Sequence, residues 1–287
     1  MQTPIPEKIF NLLRDCVWKC GRRWGYLLAR HRAAMPVRLF ATASECYLNS
    51  FKNRSYDSHH NGEDRVQSLL ALKDGDIVFD VGANVGKYTK RFLALHPAVV
   101  IHAFEIDPEN SRKFLSMHGS DLRVHLHDTG LAEKAGEFVA YAREGGSQTT
   151  SLYDLGMGDR KFTARCMRGD EFCAQHGIEQ VDFMKVDTEG HDLQVLKGFG
   201  EMLRPEKLRC IQFEYNETSV NARVFLADFF DLLQSRGYSL GKLYPRRVEF
   251  TPFDVRLEDH RASNYLAVAE GSPLQELMAG GYVWKEF

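Results

Sequence analysis

The chain has 287 residues, of which 44% are apolar and 26% charged, and its formal net charge is −2. This composition is typical of an ordinary soluble globular protein, and the charge gives no general indication of nucleic-acid binding. The six cysteines form no C-x-x-C pair, which favours reduced thiols in a cytoplasmic protein over disulfides or a zinc site. No apolar run approaches the roughly 18 residues of a membrane span, so we expect no transmembrane segment.

The first 40 residues carry eight Lys and Arg residues against two acidic ones, a local charge of +6 that leaves −8 for the remainder. Apolar residues at helical spacing predict a helix over 7–32, and a second apolar stretch follows over 39–51. The polar run NRSYDSHHNGEDR predicts a boundary between a basic extension, residues 1–60, and a main domain, residues 61–287.

Three roles remain open for the extension. A cationic amphipathic helix is compatible with packing on the domain or in a homo-oligomer, with partner binding, and with peripheral contact to a membrane through residues 1–50. Trp18, Trp24 and the leucines favour packing or a dimer contact.

Beyond the extension, strands and helices alternate. The pattern predicts strands at 77–79, 99–104, 122–126, 181–186, 208–213 and 265–268, and helices at 66–70, 85–95, 108–117, 192–199 and 225–236. Residues 137–172 interrupt this rhythm and predict β-hairpins. The sequence therefore predicts an α/β fold whose mostly parallel twisted sheet carries helices on both faces and a β-hairpin insertion, with the ligand crevice beyond the carboxyl ends of the strands.

The segment VFDVGANVGKYT joins the first of these strands to a helix through a glycine turn. Asn84 replaces the middle glycine of the G-x-G-x-x-G dinucleotide pattern, and no Gly-Lys-Ser/Thr follows. Asp80, at the strand end, suits a cation better than a diphosphate. S-adenosylmethionine carries an ammonium and a sulfonium and no phosphate, so the turn favours that cofactor.

Acidic residues follow the next two strands. Glu105 is placed to accept hydrogen bonds from ribose hydroxyls, and Asp128 to accept one from an adenine amino group. The alternative is that Asp80 and Glu105 only cap turns. His125 and His127 share a strand face by period two, but no third ligand accompanies them, so we expect no metal site.

The segment VDFMKVDTEGHDLQVLKGF places Lys185, Asp187, Glu189 and His191 at one strand end and its turn. Such a group is able to orient and deprotonate a hydroxyl. A salt-bridged strand end and a helix cap are the rival interpretation for Glu189 and Asp192. A lysine in a buried strand is expected to be paired with an opposite charge or to have a functional role.

These segments, with AFEIDP and IQFEYN, resemble the FkbM-type S-adenosylmethionine-dependent methyltransferases over residues 76–216. The most specific likeness is FMKVDTEGHDLQVLKGF, where Asp192 replaces the usual Glu. "RGDEF" also replaces the common "LDDF". The resemblance implies a Rossmann-like class I methyltransferase that O-methylates a hydroxyl of a sugar, glycan or natural product.

By position, the resemblance also implies the site residues. Lys185, Asp187 and His191 would face the acceptor. The cofactor, S-adenosyl-L-methionine, would contact Asp80, Gly82, Ala83, Asn84, Gly86, Glu105, Ile106, Asp128 and Thr129.

Three alternatives remain. A metal-assisted methyltransferase would use Asp182, Asp187, Glu189 and His191 as ligands. An NAD-dependent oxidoreductase and a non-catalytic nucleotide-binding module would use the same fold. The loop GGSQTTSLYDLG is expected to cover the site, with Tyr153 and its hydroxyls suited to a polar acceptor such as a saccharide.

Overall fold

Residues 7–146, 149–156 and 158–281 are described in a computed structural model of the chain, apart from the side chains of residues 7, 8, 10 and 23. The chain divides into two compact units, Met1–Lys52 and Asn53–Phe287. The first unit contains α1 (Glu7–Arg30) and α2 (Met35–Phe51), which confirms the helix predicted over 7–32. Pro36 lies in the first turn of α2, where a missing backbone N–H costs nothing.

The second unit alternates strands and helices. In chain order they are α3 (Glu63–Leu69), β1 (Ile77–Val81), α4 (Lys87–Leu95), β2 (Val100–Phe104), α5 (Pro108–His118), β3 (Val124–His127), β4 (Gly130–Leu131), β5 (Gly136–Ala142), β6 (Arg160–Met167), α6 (Gly169–His176), β7 (Phe183–Val186), α7 (Asp192–Lys197), β8 (Cys210–Tyr215), α8 (Thr218–Ala222), α9 (Leu226–Gln234), β9 (Tyr238–Tyr244), β10 (Arg247–Phe250), β11 (Ser263–Ala269) and α10 (Pro273–Ala279). Short 3₁₀ turns lie at Gly200–Met202 and Val255–Leu257.

The larger sheet has eight strands in the order β10-β9-β11-β8-β7-β1-β2-β3. Five adjacent strands of this sheet, β8, β7, β1, β2 and β3, are parallel. Strand β11 runs antiparallel between β8 and β9. Asp80 of β1 pairs in register with Lys185 of β7 on one side and with Ala103 of β2 on the other. The parallel strands therefore end at one edge of the sheet, where their following residues meet.

Both faces of this sheet are covered. Phe79 and Val78 are neighbours on β1 and point to opposite faces, and they belong to two separate buried clusters. Phe79 packs against Phe104 and Phe172, while Val78 belongs to the cluster that contains Phe92 of α4. This arrangement confirms the predicted parallel sheet with helices on both sides.

The predicted hairpin insertion is a second sheet of three strands, β4-β6-β5. Arg160 of β6 donates to both carboxylate oxygens of Asp107 at 2.6 Å, and this fully buried carboxylate also caps the start of α5. This ion pair connects β6 of the insertion to the start of α5, the helix that follows β2 of the larger sheet. The hairpin prediction was wrong over its last residues, because α6 begins at Gly169 with Asp170 and Glu171 in its first turn, where acidic side chains favour a helix.

Two strands near the carboxyl terminus, β9 and β10, were missed by the sequence pattern. Gly241 and Lys242 interrupt the apolar run of β9, although Lys242 is 8% exposed. A Cβ atom on Gly241 would lie 2.5 Å from Val248 of β10, so the glycine permits close packing inside this hairpin. Within the part of the chain that is described, no helix has the length and apolar character needed to cross a membrane.

Candidate active site

The turn after β1 is held by the backbone. The amides of Gly82 and Ala83 both donate to the carbonyl of Phe104 at 3.0 Å. Gly82 has φ +83°, and a Cβ atom there would lie 1.9 Å from the carbonyl oxygen of Asp187. This glycine is required because two strand ends approach each other closely.

Gly86 ends the same turn at φ +84°, and a Cβ atom there would meet the His118 ring at 2.6 Å. The imidazole Nε2 of His118 lies 2.9 Å from the Gly86 carbonyl oxygen. Gly86 therefore packs against α5 and lines neither of the clefts described below.

Asp80 is 1% exposed and lies behind the turn. Its Oδ2 accepts a hydrogen bond from the Thr89 hydroxyl at 2.6 Å, and its Oδ1 has no partner among the described residues. Burial raises the pKa of this carboxyl, and the charge of Lys185 opposes that shift. Asp80 lines neither cleft. Its described interactions are the hydrogen bond from Thr89 of α4 and the charge of Lys185.

A first cleft, with an empty volume of about 520 Å³ including open solvent, opens at the carboxyl ends of β1, β2 and β7. It has apolar walls, three carboxylates and one imidazole. Its lining residues are Val81, Gly82, Asn84, Phe104, Glu105, Ile106, Gly130, Leu131, Thr150, Leu152, Cys166, Asp187, Thr188, Glu189 and His191.

Glu105 is the acid at the end of β2, and it is 5% exposed. Its Oε2 accepts from the amide of Asn84 at 2.7 Å, and its Oε1 accepts from the amide of Asp107 at 2.7 Å. Burial raises its pKa to about 7, although these backbone hydrogen bonds oppose the shift. The amide of Ile106 also hydrogen-bonds this carboxylate, so three of its roughly four acceptor sites are used and one remains for a ribose hydroxyl.

The predicted adenine residues lie outside this cleft. Asp128 is exposed, and the Thr129 hydroxyl donates to the carbonyl of Arg165 at 3.0 Å. Neither lines the cleft, whereas the next two residues, Gly130 and Leu131, do. The cleft wall is completed by Thr150 and Leu152, which belong to the loop expected to cover the site, and by Cys166 of β6, to which the sequence pattern gave no role.

A second cleft, with an empty volume of about 940 Å³ including open solvent, adjoins the first. The two share Gly82, Asn84, Asp187 and Glu189, and Ala83 and Lys185 line only the second. Its lining residues are Tyr56, Ser58, Glu63, Gly82, Ala83, Asn84, Val85, Lys87, Tyr88, Arg91, Lys185, Asp187, Glu189, Glu214 and Asn264.

Lys185 is the cation at the floor of the second cleft. It is 7% exposed, its Nζ donates to Asp187 Oδ2 at 2.7 Å, and the same atom lies 4.9 Å from the centre of the Tyr88 ring. Burial lowers the pKa of Lys185, but the charges of Asp187, Asp80 and Glu63 outweigh it, and the net pKa is raised. Lys185 is therefore a fixed positive charge and not a proton acceptor.

Two carboxyl groups in this cleft share a partner. The Asn216 amide donates to Glu214 Oε2 at 2.8 Å and also hydrogen-bonds Glu189. Burial, with the charges of Asp187 and Asp192, raises the pKa of Glu189 to about 8. Burial and the neighbouring acids also raise the pKa of Glu214 well above its usual range. A carboxyl with a pKa of about 8, such as that of Glu189, is able to exchange protons near neutral pH.

His191, predicted to face the acceptor, lines the first cleft and not the second. Its Nδ1 lies 3.0 Å from the Tyr153 hydroxyl, and its buried Nε2 has no partner among the described residues. Burial lowers its pKa to about 4, so the ring is neutral at pH 7. Tyr153 belongs to the loop expected to cover the site, and Ser151 of that loop donates to the Glu189 carbonyl at 2.8 Å.

The histidines of β2 and β3 form a stack and not a ligand set. His102 Nδ1 lies 3.0 Å from His127 Nε2, and the ring centres of His102 and His125 are 5.2 Å apart. Among the described residues, no group of three or more His, Cys, Asp or Glu side chains is arranged to hold a metal ion.

The sheet order, its antiparallel β11, the glycine turn and the acid that ends β2 together define a class I Rossmann-like methyltransferase. Residues 80–240, more than half of the chain, match the methyltransferase FkbM domain. The chain belongs to this family, and it is an S-adenosylmethionine-dependent methyltransferase. The family assignment decides against the NAD-dependent oxidoreductase.

The named relatives of the chain include three methyltransferases. The chain is 26% identical over 201 residues to the 2-O-methyltransferase NoeI of Sinorhizobium fredii, covering 64% of this chain and 81% of that protein. It is 24% identical over 226 residues to the 31-O-demethyl-FK506 methyltransferase FkbM of Streptomyces tacrolimicus, covering 68% and 81%. It is 25% identical over 147 residues to the hexuronic acid methyltransferase AglP of Haloferax volcanii, covering 50% and 59%.

Proposed function

We propose that this chain transfers a methyl group to a hydroxyl of a sugar, glycan or natural product that binds in the second cleft. The observation that carries this proposal is that the two clefts meet at Asp187 and Glu189. A donor molecule in the first cleft and an acceptor in the second would therefore have their reacting groups beside these two carboxylates. The names of the relatives, two of which specify O-methylation, support an oxygen acceptor.

The first cleft fits the cofactor. Its lining residues include no Lys or Arg, so they offer no counter-charge to a phosphate, whereas Glu105, Asp187 and Glu189 suit a positively charged molecule. In this proposal Glu105 holds the ribose, with Ile106 and Leu131 against the adenine. Gly82, Ala83 and Asn84 form the adjoining turn, and Asp80 and Gly86 support it from behind. Asp128 and Thr129 remain predicted adenine contacts.

The carboxylates and Lys185 then have separate roles. S-adenosylmethionine, when bound, supplies a methyl group on positively charged sulfur. Lys185 fixes the Asp187 carboxylate at 2.7 Å, and Asp187 orients the acceptor hydroxyl. Glu189 takes the hydroxyl proton, because its raised pKa makes it a stronger base than an ordinary carboxylate.

His191 has a different place in the proposal. His191 lines the first cleft and its Nε2 has no partner among the described residues, so in this proposal Nε2 hydrogen-bonds the bound nucleoside or the acceptor hydroxyl. The hydroxyl of Tyr153, which contacts Nδ1 of His191, keeps the His191 ring in position.

The test is a methyl-donor assay against extracted glycans, glycolipids and small polyhydroxylated compounds, with radiolabelled donor and mass spectrometry of the product. We expect a gain of one methyl group on oxygen, and binding of S-adenosylhomocysteine but not of NADH in a parallel titration. A product methylated on nitrogen or carbon would contradict the oxygen acceptor. Absence of S-adenosylhomocysteine binding would contradict the cofactor site itself.

The proposal also assigns the parts of the chain. Residues 61–287 form the methyltransferase domain, with its core at 76–216, and residues 1–60 form the extension. In this proposal the protein acts in the cytoplasm. The helices of the extension expose large apolar side chains, which supports a contact with a second copy of the chain or with a membrane.

A further inference from the structure

Helix α1 carries a continuous apolar stripe. At 100° per residue, five large side chains fall within about 80° of one another around the helix. All five are exposed, with accessible fractions of 50% for Ile9, 53% for Leu13, 70% for Val17, 64% for Trp24 and 47% for Leu27. Contiguous apolar surface of this kind marks an interaction site, unlike single exposed leucines.

Outside the stripe, α1 carries basic residues together with three exposed apolar or aromatic side chains, Leu12, Trp18 and Tyr26. Arg14, Lys19, Arg22 and Arg30 are all exposed and fall outside the stripe. The one acidic side chain described on this helix, Asp15, is paired with Arg14 at 3.7 Å. Basic residues thus border the apolar stripe on both of its sides.

The following helix also exposes apolar side chains and adds little charge. Leu39, Phe40, Tyr47 and Phe51 of α2 are 62–69% exposed, and the rings of Tyr47 and Phe51 stack with centres 6.1 Å apart. The first unit therefore presents two helices with exposed apolar residues and a positive charge concentrated on one of them.

A lipid surface fits this combination better than a second copy of the chain. A buried protein–protein interface is depleted of charge at its core and needs a complementary apolar patch. An interfacial helix instead needs an apolar stripe, a strongly polar opposite face and basic residues that reach anionic headgroups. Trp24 lies within the stripe, and tryptophan is enriched at the headgroup level of membranes.

We propose that α1 lies in the interface of an anionic lipid membrane, with Ile9, Leu13, Val17, Trp24 and Leu27 towards the acyl chains and its arginines and lysines among the headgroups. The attraction combines apolar burial with charge, so it weakens as salt rises. This contact is independent of methyl transfer, and it brings the chain near acceptors at a membrane surface.

The experiment is flotation of the full chain with vesicles of pure phosphatidylcholine and with vesicles that contain phosphatidylglycerol. We expect binding to the anionic vesicles at least tenfold above the neutral ones, and a large loss of binding at high salt. Leu27→Asp, in the stripe, should reduce binding roughly tenfold or more.

Ala29→Asp is the matched control. It makes the same charge change two residues away, at an exposed position about 200° from Leu27 and so on the other face. We expect it to reduce binding only about fivefold, the effect of one charge near the surface. Equal losses in both variants, or equal binding to both vesicle types, would overturn the proposal.

Self-association is measured on the same proteins by light scattering. A concentration-dependent dimer that Leu27→Asp dissociates, without binding to anionic vesicles, would assign the stripe to a second copy and overturn the lipid proposal. Binding of S-adenosylhomocysteine should be unchanged in both variants. Its loss would concern the methyltransferase site, so the two proposals fail separately.

Discussion

Lys185 Nζ donates to Asp187 Oδ2 at 2.7 Å. Lys185 lies in β7, and Asp187 is the residue that directly follows this strand. Asp80 on β1 lies beside Lys185 in register, and Glu63 adds a further negative charge. One buried cation therefore faces three carboxyl groups. Asp187 lines both clefts. Loss of its contact with Lys185 is therefore expected to affect both the stability of this strand end and the junction of the two clefts.

Replacing Lys185 with Met should leave three carboxyl groups without their common cation. We expect turnover to fall by about 10²-fold, because the acceptor hydroxyl is no longer aligned by a fixed Asp187, and stability to fall by about 3 kcal/mol, as for a broken buried pair. The affinity for S-adenosylhomocysteine should change little, because Lys185 does not line the first cleft.

Calorimetry, urea unfolding and steady-state kinetics measure these three quantities. Lys134→Met removes an exposed lysine and should change none of them. If Lys185→Met kept full turnover, the role given to this residue would be wrong.

Glu189→Gln tests the proton acceptor. With a carboxyl pKa of about 8, kcat/KM of the natural chain should rise with pH until about pH 8 and then level off, since only the ionised group accepts a proton. The amide removes the base, so we expect a loss of 10²–10⁴-fold and a profile without that rise. Glu201→Gln, at a side chain that is 89% exposed, serves as the control. An unchanged pH profile in Glu189→Gln would move the role to Glu214 or Asp187.

Glu105→Gln tests the ribose site. The glutamine amide nitrogen would face the backbone N–H of either Asn84 or Asp107, both of which now donate to the carboxylate. Loss of one charged hydrogen-bond acceptor predicts roughly 10- to 100-fold weaker binding of S-adenosylhomocysteine. Isothermal titration calorimetry measures it directly, with the exposed Glu179→Gln as the comparison. Equal affinities would remove Glu105 from the nucleoside site.

The parts of this site that the sequence predicted are local in the chain. The turn around Gly82, the acid Glu105 and the strand end at Lys185 each follow directly from a strand, so a motif places them at one sheet edge. Cys166 was not predictable, because only the tertiary placement of the insertion brings it to the first cleft. The resemblance included Glu214, but its proximity to Glu189 depends on the pairing of β7 with β8.

The histidine stack predicts how stability depends on acid. Burial lowers the pKa of His102 to about 3 and that of His127 to about 4, with the neighbouring histidines adding to the effect. The unfolded chain, with ordinary pKa values near 6.5, binds more protons than the folded one below that pH. The stability from these two residues is therefore complete above about pH 6.5 and is lost as pH falls towards 4.

Urea unfolding at pH 7.5, 6 and 5 measures this loss. His102→Phe keeps a ring against Phe79 and Phe172 and should flatten the pH dependence. His60→Phe, at a side chain that is 81% exposed, should leave it unchanged. A dependence as steep in His102→Phe as in the natural chain would assign the acid sensitivity to other groups.

Gly82→Ala tests the packing of the two strand ends. Its φ of +83° costs an alanine about 1–2 kcal/mol, and its Cβ would lie 1.9 Å from the carbonyl oxygen of Asp187, a backbone atom that moves only with β7. Gly75→Ala separates these effects, because Gly75 has φ +85° and no atom within 4 Å of the added Cβ. We expect Gly75→Ala to show the backbone cost alone in urea unfolding. Gly82→Ala should lose clearly more stability, together with binding of S-adenosylhomocysteine, because displacing Asp187 deforms both clefts. Equal stability losses in the two variants would mean that the strand ends are free to separate.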